Sequence, residues 1–147
     1  MKKETELSAL KEIRDILKSG GISRQQSVSM RFIRNSDGIV IDKRLNLIWY
    51  PTLPKRMTWE EAKKECQKIG CRLPTRQELE SLLDLTKCNP AIDKEIFSDT
   101  KIDDYYWTAD TVAGYPDCAW FVSFSFGYVD SWDEGNNNYV RPVRSSQ

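Results

Sequence analysis

Residues 58–83 read TWEEAKKECQKIGCRLPTRQELESLL, and this stretch decides the fold. Thr58 is followed three residues later by Glu61. That pattern is a capping box: the threonine hydroxyl accepts the Glu61 N–H, and the glutamate reaches back to the Thr58 N–H. Trp59, Ala62, Cys66 and Ile69 then fall on one helical face, and Gly70 stops the helix. A second box opens at once with Thr75 and Glu78, followed by Leu79, Leu82 and Leu83 facing inward. The spacing predicts helices over about 58–69 and 75–85.

Working outward, the flanks read as strands. Upstream, MRFIRNSDGIVIDKRLNLIWY (30–50) gives two or three strands, with a turn at Asn35-Ser36-Asp37-Gly38. YPTLPKRM (50–57) holds two prolines and reads as loop. Downstream, Asn89-Pro90 resembles a helix start, for a short turn carrying Ile92, Ile96 and Phe97. From Tyr105 on, the chain alternates as strands and loops, and the C-terminal strands are expected to share one sheet. Strands, two capped helices, then strands is an α+β order, not a βαβ alternation. At the other end, residues 3–18 carry a stripe of Leu7, Leu10, Ile13 and Leu17 that Gly20-Gly21 terminates. The division is thus an amphipathic N-terminal helix (1–21), a polar linker (22–29) and one domain (30–147). The stripe must cover something, either the domain or a second copy; the polar linker tilts the expectation toward self-association through Leu10, Ile13 and Leu17.

Composition narrows the function. The 147 residues carry 22 basic and 22 acidic side chains, so the chain lacks the basic excess of a general nucleic-acid binder. Charge is uneven: residues 1–76 hold 17 Lys/Arg against 9 Asp/Glu, and residues 77–147 hold 5 against 13. Either the halves pair within the fold or a basic surface awaits a partner; pairing is the expectation. No secretory signal opens the chain and no apolar run reaches membrane-spanning length, so cytoplasmic synthesis without a membrane partner is expected, with release as a virion part as one route outward.

The C-terminal stretch AWFVSFSFGYVDSWDEGNNNYVRPVR (119–144) poses the functional question. It alternates like a strand with one wet face. Trp120, Val122 and Phe124 are expected inside; Phe121, Ser123 and Ser125 are expected outside. The predicted core is Trp49, Trp59, Leu73, Leu79, Leu82, Trp107, Trp120, Val122, Phe124 and Val143. Large aromatics on the wet side, mixed with Ser, Asp and Asn, resemble a paratope of rigid anchors and adaptable polar groups.

LNLIWYP, MTWEEAKKEC, CRLPTRQELESLLD, PAIDKEIF, YYWTAD, CAWFVSFSFGYVD and YVRPVR occur here in order. In this the chain resembles, over about residues 30–144, a bacterial lectin-like domain family that includes the C-terminal domain of the collagen-like adhesin Lcl. The resemblance implies a C-type lectin-like fold with two helices packed on a twisted, mostly antiparallel sheet. One departure is the shortened stretch before CRLP, where Cys71 would fill a buried slot. The chain is also similar to the variable proteins of diversity-generating retroelements, in which asparagine codons of a template are mutated at adenines. That resemblance implies hypervariable, ligand-binding positions at Phe121, Ser123, Ser125, Phe126, Tyr128, Asp130, Ser131, Trp132, Asp133, Gly135, Asn136, Asn137 and Asn138. Ala119, Trp120, Val122, Phe124, Gly127, Val129 and Tyr139 to Arg144 would be framework. Trp132 and Glu134 are not reachable from AAC by adenine changes, so their template codons differ. The alternative is a fixed-sequence lectin-like adhesin, or a carbohydrate- or protein-binding domain.

The chain has no histidine, hence no imidazole base, and no Ser or Cys sits in a nucleophile motif. Four cysteines (Cys66, Cys71, Cys88, Cys118) lack the paired short spacings of a zinc site. Asp103-Asp104 and Asp130 with Asp133 have no calcium-loop spacing. The expectation is therefore no catalysis, no cofactor and no required metal, with an unknown protein or glycan as ligand. Arg141 and Arg144 are expected to pair with carboxylates such as Asp84 or Asp110.

Overall fold

The structure is a computed structural model that describes Leu10, Lys11 and residues 30–146. The predicted N-terminal helix and linker lie outside the described residues, Leu10 and Lys11 apart. In chain order the elements are β1 (Phe32–Arg34), β2 (Val40–Asp42), β3 (Leu47–Trp49), α1 (Trp59–Lys68), α2 (Arg76–Glu80), β4 (Tyr105–Val112), β5 (Tyr115–Ser123), β6 (Tyr128–Asp133) and β7 (Val143–Ser145). The order is α+β, as the sequence predicts. The C-terminal strands do not share one sheet, however. β7 leaves to pair with β3, giving a four-stranded sheet β1-β2-β3-β7, while β4-β5-β6 form a second sheet; all pairs within both are antiparallel. The N–H of Tyr139 bonds the Tyr105 carbonyl and that of Trp107 bonds the Tyr139 carbonyl, so the chain crosses from one sheet to the other at this point.

Both capping boxes are present. Thr58 and Thr75 accept the N–H of Glu61 and Glu78, and both glutamates return to the cap N–H. The second helix is shorter than predicted. Ser81 Oγ donates to the Glu78 carbonyl at 2.6 Å, while Arg31 donates to the Ser81 carbonyl and hydroxyl. These local bonds compete with continued helix and turn the chain at its C-cap. Asn89-Pro90 starts no helix: the N–H groups of Asn89 and Ala91 bond the carbonyls of Ser125 and Phe124, tying this segment to the end of the β5–β6 hairpin.

Two aromatic cores result. One lies between the four-stranded sheet, α2 and the inner face of β4–β6: Val40, Trp49, Leu79, Leu82, Ile92, Phe97, Tyr106, Val122, Phe124 and Val143. The other lies under α1: Trp59, Ala62, Cys66, Cys71, Leu73, Trp107, Ala119, Phe121 and Val140. Cys71 is buried, as the shortened CRLP approach implies. Behind the four-stranded sheet, Leu10 packs with Ile41 and Tyr50 against buried Ile39 and Ile48. Of the predicted core, Trp120 alone is not buried. It sits beyond the start of α2, where the Arg76 guanidinium covers its ring at 4.8 Å from the centroid.

Candidate ligand-binding face

Register builds the site. Across β4, β5 and β6, Tyr105 pairs with Ser123 and Ser123 with Tyr128; Trp107 pairs with Phe121 and Phe121 with Asp130; Ala119 pairs with Trp132. Paired residues share a face, and side chains alternate along a strand. One face therefore carries Tyr105, Trp107, Phe121, Ser123, Tyr128, Asp130 and Trp132. The other carries Tyr106, Val122 and Val129, then Trp120 with Ser131, then Cys118 with Asp133.

The first face is an aromatic cluster. Tyr105 stacks on Phe121 with ring centroids 4.1 Å apart. Tyr128 and Trp132 stand edge-on to Phe121 at 6.4 and 6.1 Å, and edge-on to Tyr105 at 6.2 and 5.6 Å. The Tyr128 hydroxyl donates to the Tyr105 hydroxyl at 3.2 Å, and this bond raises the Tyr128 pKa above the ordinary phenol range. Tyr128 and Trp132 are each 40% exposed, whereas Phe121 is 5% exposed. The expectation that Phe121 points freely outward is therefore corrected: it lies on the predicted side, but its aromatic neighbours cover it. Ser123 is also buried, its hydroxyl 3.0 Å from that of Ser125.

The β5–β6 turn divides support from display within four residues. Phe124 is fully buried and anchors the turn, and Phe126 is 68% exposed at its tip. Gly127 takes φ +81, and a Cβ there would sit 3.2 Å from Ala91 Cβ and 2.8 Å from the end of Leu85. A side chain at this position is strained by the positive φ and crowded by its neighbours. Beyond β6, Asp133 Oδ1 accepts the Gly135 N–H and its carbonyl accepts Asn136. Asn137 is exposed, Asn136 half-buried and Asn138 buried. Asn138 is a second correction. Its backbone exchanges two hydrogen bonds with Met57, which fixes it against the Met57 loop, and both atoms of its buried side-chain amide lack a partner among the described residues. Ser131 and Asp133 lie on the opposite face from Trp132. The thirteen positions thus do not form one continuous patch; they divide into the aromatic face, the opposite face at Ser131 and Asp133, the turn tip and the loop.

Tyr105 belongs to the face and was not among the residues expected there. The signal was its spacing from Trp107 in YYWTAD, which puts both on the Phe121 side. Arg141 pairs with a carboxylate as expected, but with Asp99 rather than Asp84 or Asp110. Arg141 is buried, donating to Asp99, Thr100 and the Tyr50 carbonyl, and Arg144 donates to the Tyr50 hydroxyl. Asp84 instead holds Thr86 and Lys87, and Asp110 accepts the Arg76 N–H. Burial pushes the Cys66 thiol up to about 12 and the Cys71 thiol to about 11, so neither is a ready thiolate nucleophile. Among the described residues, no group of three or more His, Cys, Asp or Glu side chains converges as for a metal. An open cleft of about 540 Å³ lies beside α1, lined by Leu53 to Met57 with Glu61 and Glu65.

Fold and face together define an α+β domain that holds an aromatic sheet surface on a capped-helix support. The chain belongs to the Lcl C-terminal domain family, whose model matches residues 38–144. Among the described residues, its architecture is two capped helices on antiparallel sheets. No curated protein matches the chain. Among solved structures it is similar to a calcium-independent type II antifreeze protein at 14% identity and a TM-score of 0.44, over 80% of this chain and 98% of that one.

Proposed function

We propose that this chain is a non-enzymatic ligand-binding protein, the hypervariable target of a diversity-generating retroelement. The observation that carries this reading is the division of labour in the β5–β6 hairpin. Val122, Phe124, Gly127 and Val129 support it from the inner side, while Phe126, Tyr128, Asp130 and Trp132 are exposed. A hairpin is held through its backbone, so exposed side chains can change while its register persists. The test is the DNA beside the gene. A reverse transcriptase gene is expected there, with a near-copy of codons 119–144 that differs only at adenines. Neighbouring DNA without either contradicts the proposal.

A fixed-sequence lectin-like adhesin, or a carbohydrate- or protein-binding domain, is the second reading. What favours it is the burial of Phe121, Ser123 and Asn138, since buried positions tolerate random replacement poorly. A population of sequences in which these three positions stay constant while Tyr128, Asp130 and Trp132 vary would reconcile burial with diversification.

A further inference from the structure

We propose that the ligand of the aromatic face is a protein surface presenting an arginine or lysine side chain, seated between Tyr128 and Trp132 and paired with Asp130. This rests on the reading of that face as a binding surface. The charge distribution comes first. Between Lys101 and Arg141 the chain carries seven carboxylates and no Lys or Arg. That segment builds the entire three-stranded sheet and its loops. Arg56 pairs with Asp104 at its margin, and Arg76 lies over Trp120 on the opposite side.

The second observation concerns where the chain places its own cations. Lys63 sits over the Trp59 ring at 3.8 Å, Arg76 over Trp120 at 4.8 Å, and Arg141 over Phe97 at 5.1 Å. Among the described residues, no such cation lies over Tyr105, Phe121, Tyr128 or Trp132. Yet these rings are arranged to receive one, with a stacked pair at the base and two edge-on rings exposed beside it. Asp130 is exposed, lies two residues from both Tyr128 and Trp132, and pairs in register with Phe121. A guanidinium can lie on an aromatic face and bond a carboxylate at once. A sulfated or phosphorylated ligand would meet the exposed Asp130 carboxylate, with no described cation over these rings.

Isotope-labelled full chain titrated with N-acetyl-arginine amide tests this, read on the Trp132 indole signal (assigned with Trp132→Phe) and the Tyr128 and Asp130 amides. The expected result is saturable shifts confined to these signals, weakened about tenfold by Asp130→Asn. Asp117→Asn, which removes an equal charge away from the ring cluster, should leave the affinity unchanged. Equal weakening by both variants would overturn the seat at Asp130. N-acetyl-glutamate amide and a sulfated disaccharide serve as opposing probes. If either shifts the same signals as tightly as the arginine probe, the cationic ligand is wrong while the binding face stands. If no probe of any charge moves these signals, the binding face fails too.

Discussion

The two sheets use similar side chains to opposite ends. In β1-β2-β3-β7 the strands are three residues long, and Leu47, Ile48 and Trp49 are buried on both faces. Its one buried acid, Asp42, is enclosed by Arg31, the Trp49 indole N–H and the backbone of Arg44 and Leu45. In β4-β5-β6 the strands run six to nine residues, and the edge strand β6 has no buried residue. Its acids lie at the surface or half-buried, and its outermost aromatics pack on one another. The difference teaches that support and display are divided between sheets, and again within the second sheet between its two faces.

The comparison breaks first if the supporting sheet can lose a large side chain cheaply. Trp49→Ala should cost about 3–5 kcal/mol in denaturant unfolding, through cavity formation and the loss of an Asp42 bond. Trp120→Ala should cost much less, because its ring is half-buried under Arg76 rather than in the core. Equal losses would place Trp120 in the core after all.

Asp42 sharpens the comparison by pH. Asp42→Asn should cost about 3 kcal/mol at neutral pH, since it breaks a buried pair and leaves Arg31 without its charge partner. Burial raises the Asp42 carboxyl, but the bonds from Arg31 and Trp49 outweigh it and hold the group below the usual range. Glu78 and Asp99 are likewise lowered, against burial, by Arg72 and Arg141. A carboxyl with a lower pKa folded than unfolded contributes fully above its unfolded value, near about pH 4, and fades as pH falls through the folded one. Unfolding stability should therefore be flat near neutrality and fall in acid, and Asp42→Asn should make that fall shallower. An unaltered acid limb would show that Asp42 is not the group being protonated.

Gly127→Ala is the smaller effect, about 1–2 kcal/mol from the left-handed backbone. Proton–deuteron exchange should show the loosening in the β5–β6 hairpin before the four-stranded sheet. Uniform loosening would mean that the two sheets open as one unit.

Much of the support was legible in the sequence, because caps and periodicity are local. Thr58 and Glu61 announce α1 without reference to any tertiary contact. Display was harder. Phe121 and Trp120 are adjacent aromatics on opposite faces, and period-two alternation cannot say which is covered. Phe121 is covered on its outer side by Tyr105, Tyr128 and Trp132, which arrive from two other strands, and Trp120 meets only the Arg76 end of α2, outside the apolar core. Asn138 looks like loop surface, yet its bridge to Met57 fixes it inside. Each of these depends on pairings distant in sequence, which composition and spacing do not encode.

The division itself is tested most directly by chemical denaturation of two matched triple variants. One replaces Phe126, Tyr128 and Trp132 by serine; the other replaces Val122, Phe124 and Val129 by serine. The first should keep a cooperative transition within about 2 kcal/mol of the parent, since Phe126 is 68% exposed and Tyr128 and Trp132 lie at the outer edge of their cluster. The second should abolish cooperative folding, because it places hydroxyls in the core between the sheets. Comparable damage from both would mean that the aromatic face is core, and the separation of display from support would be contradicted.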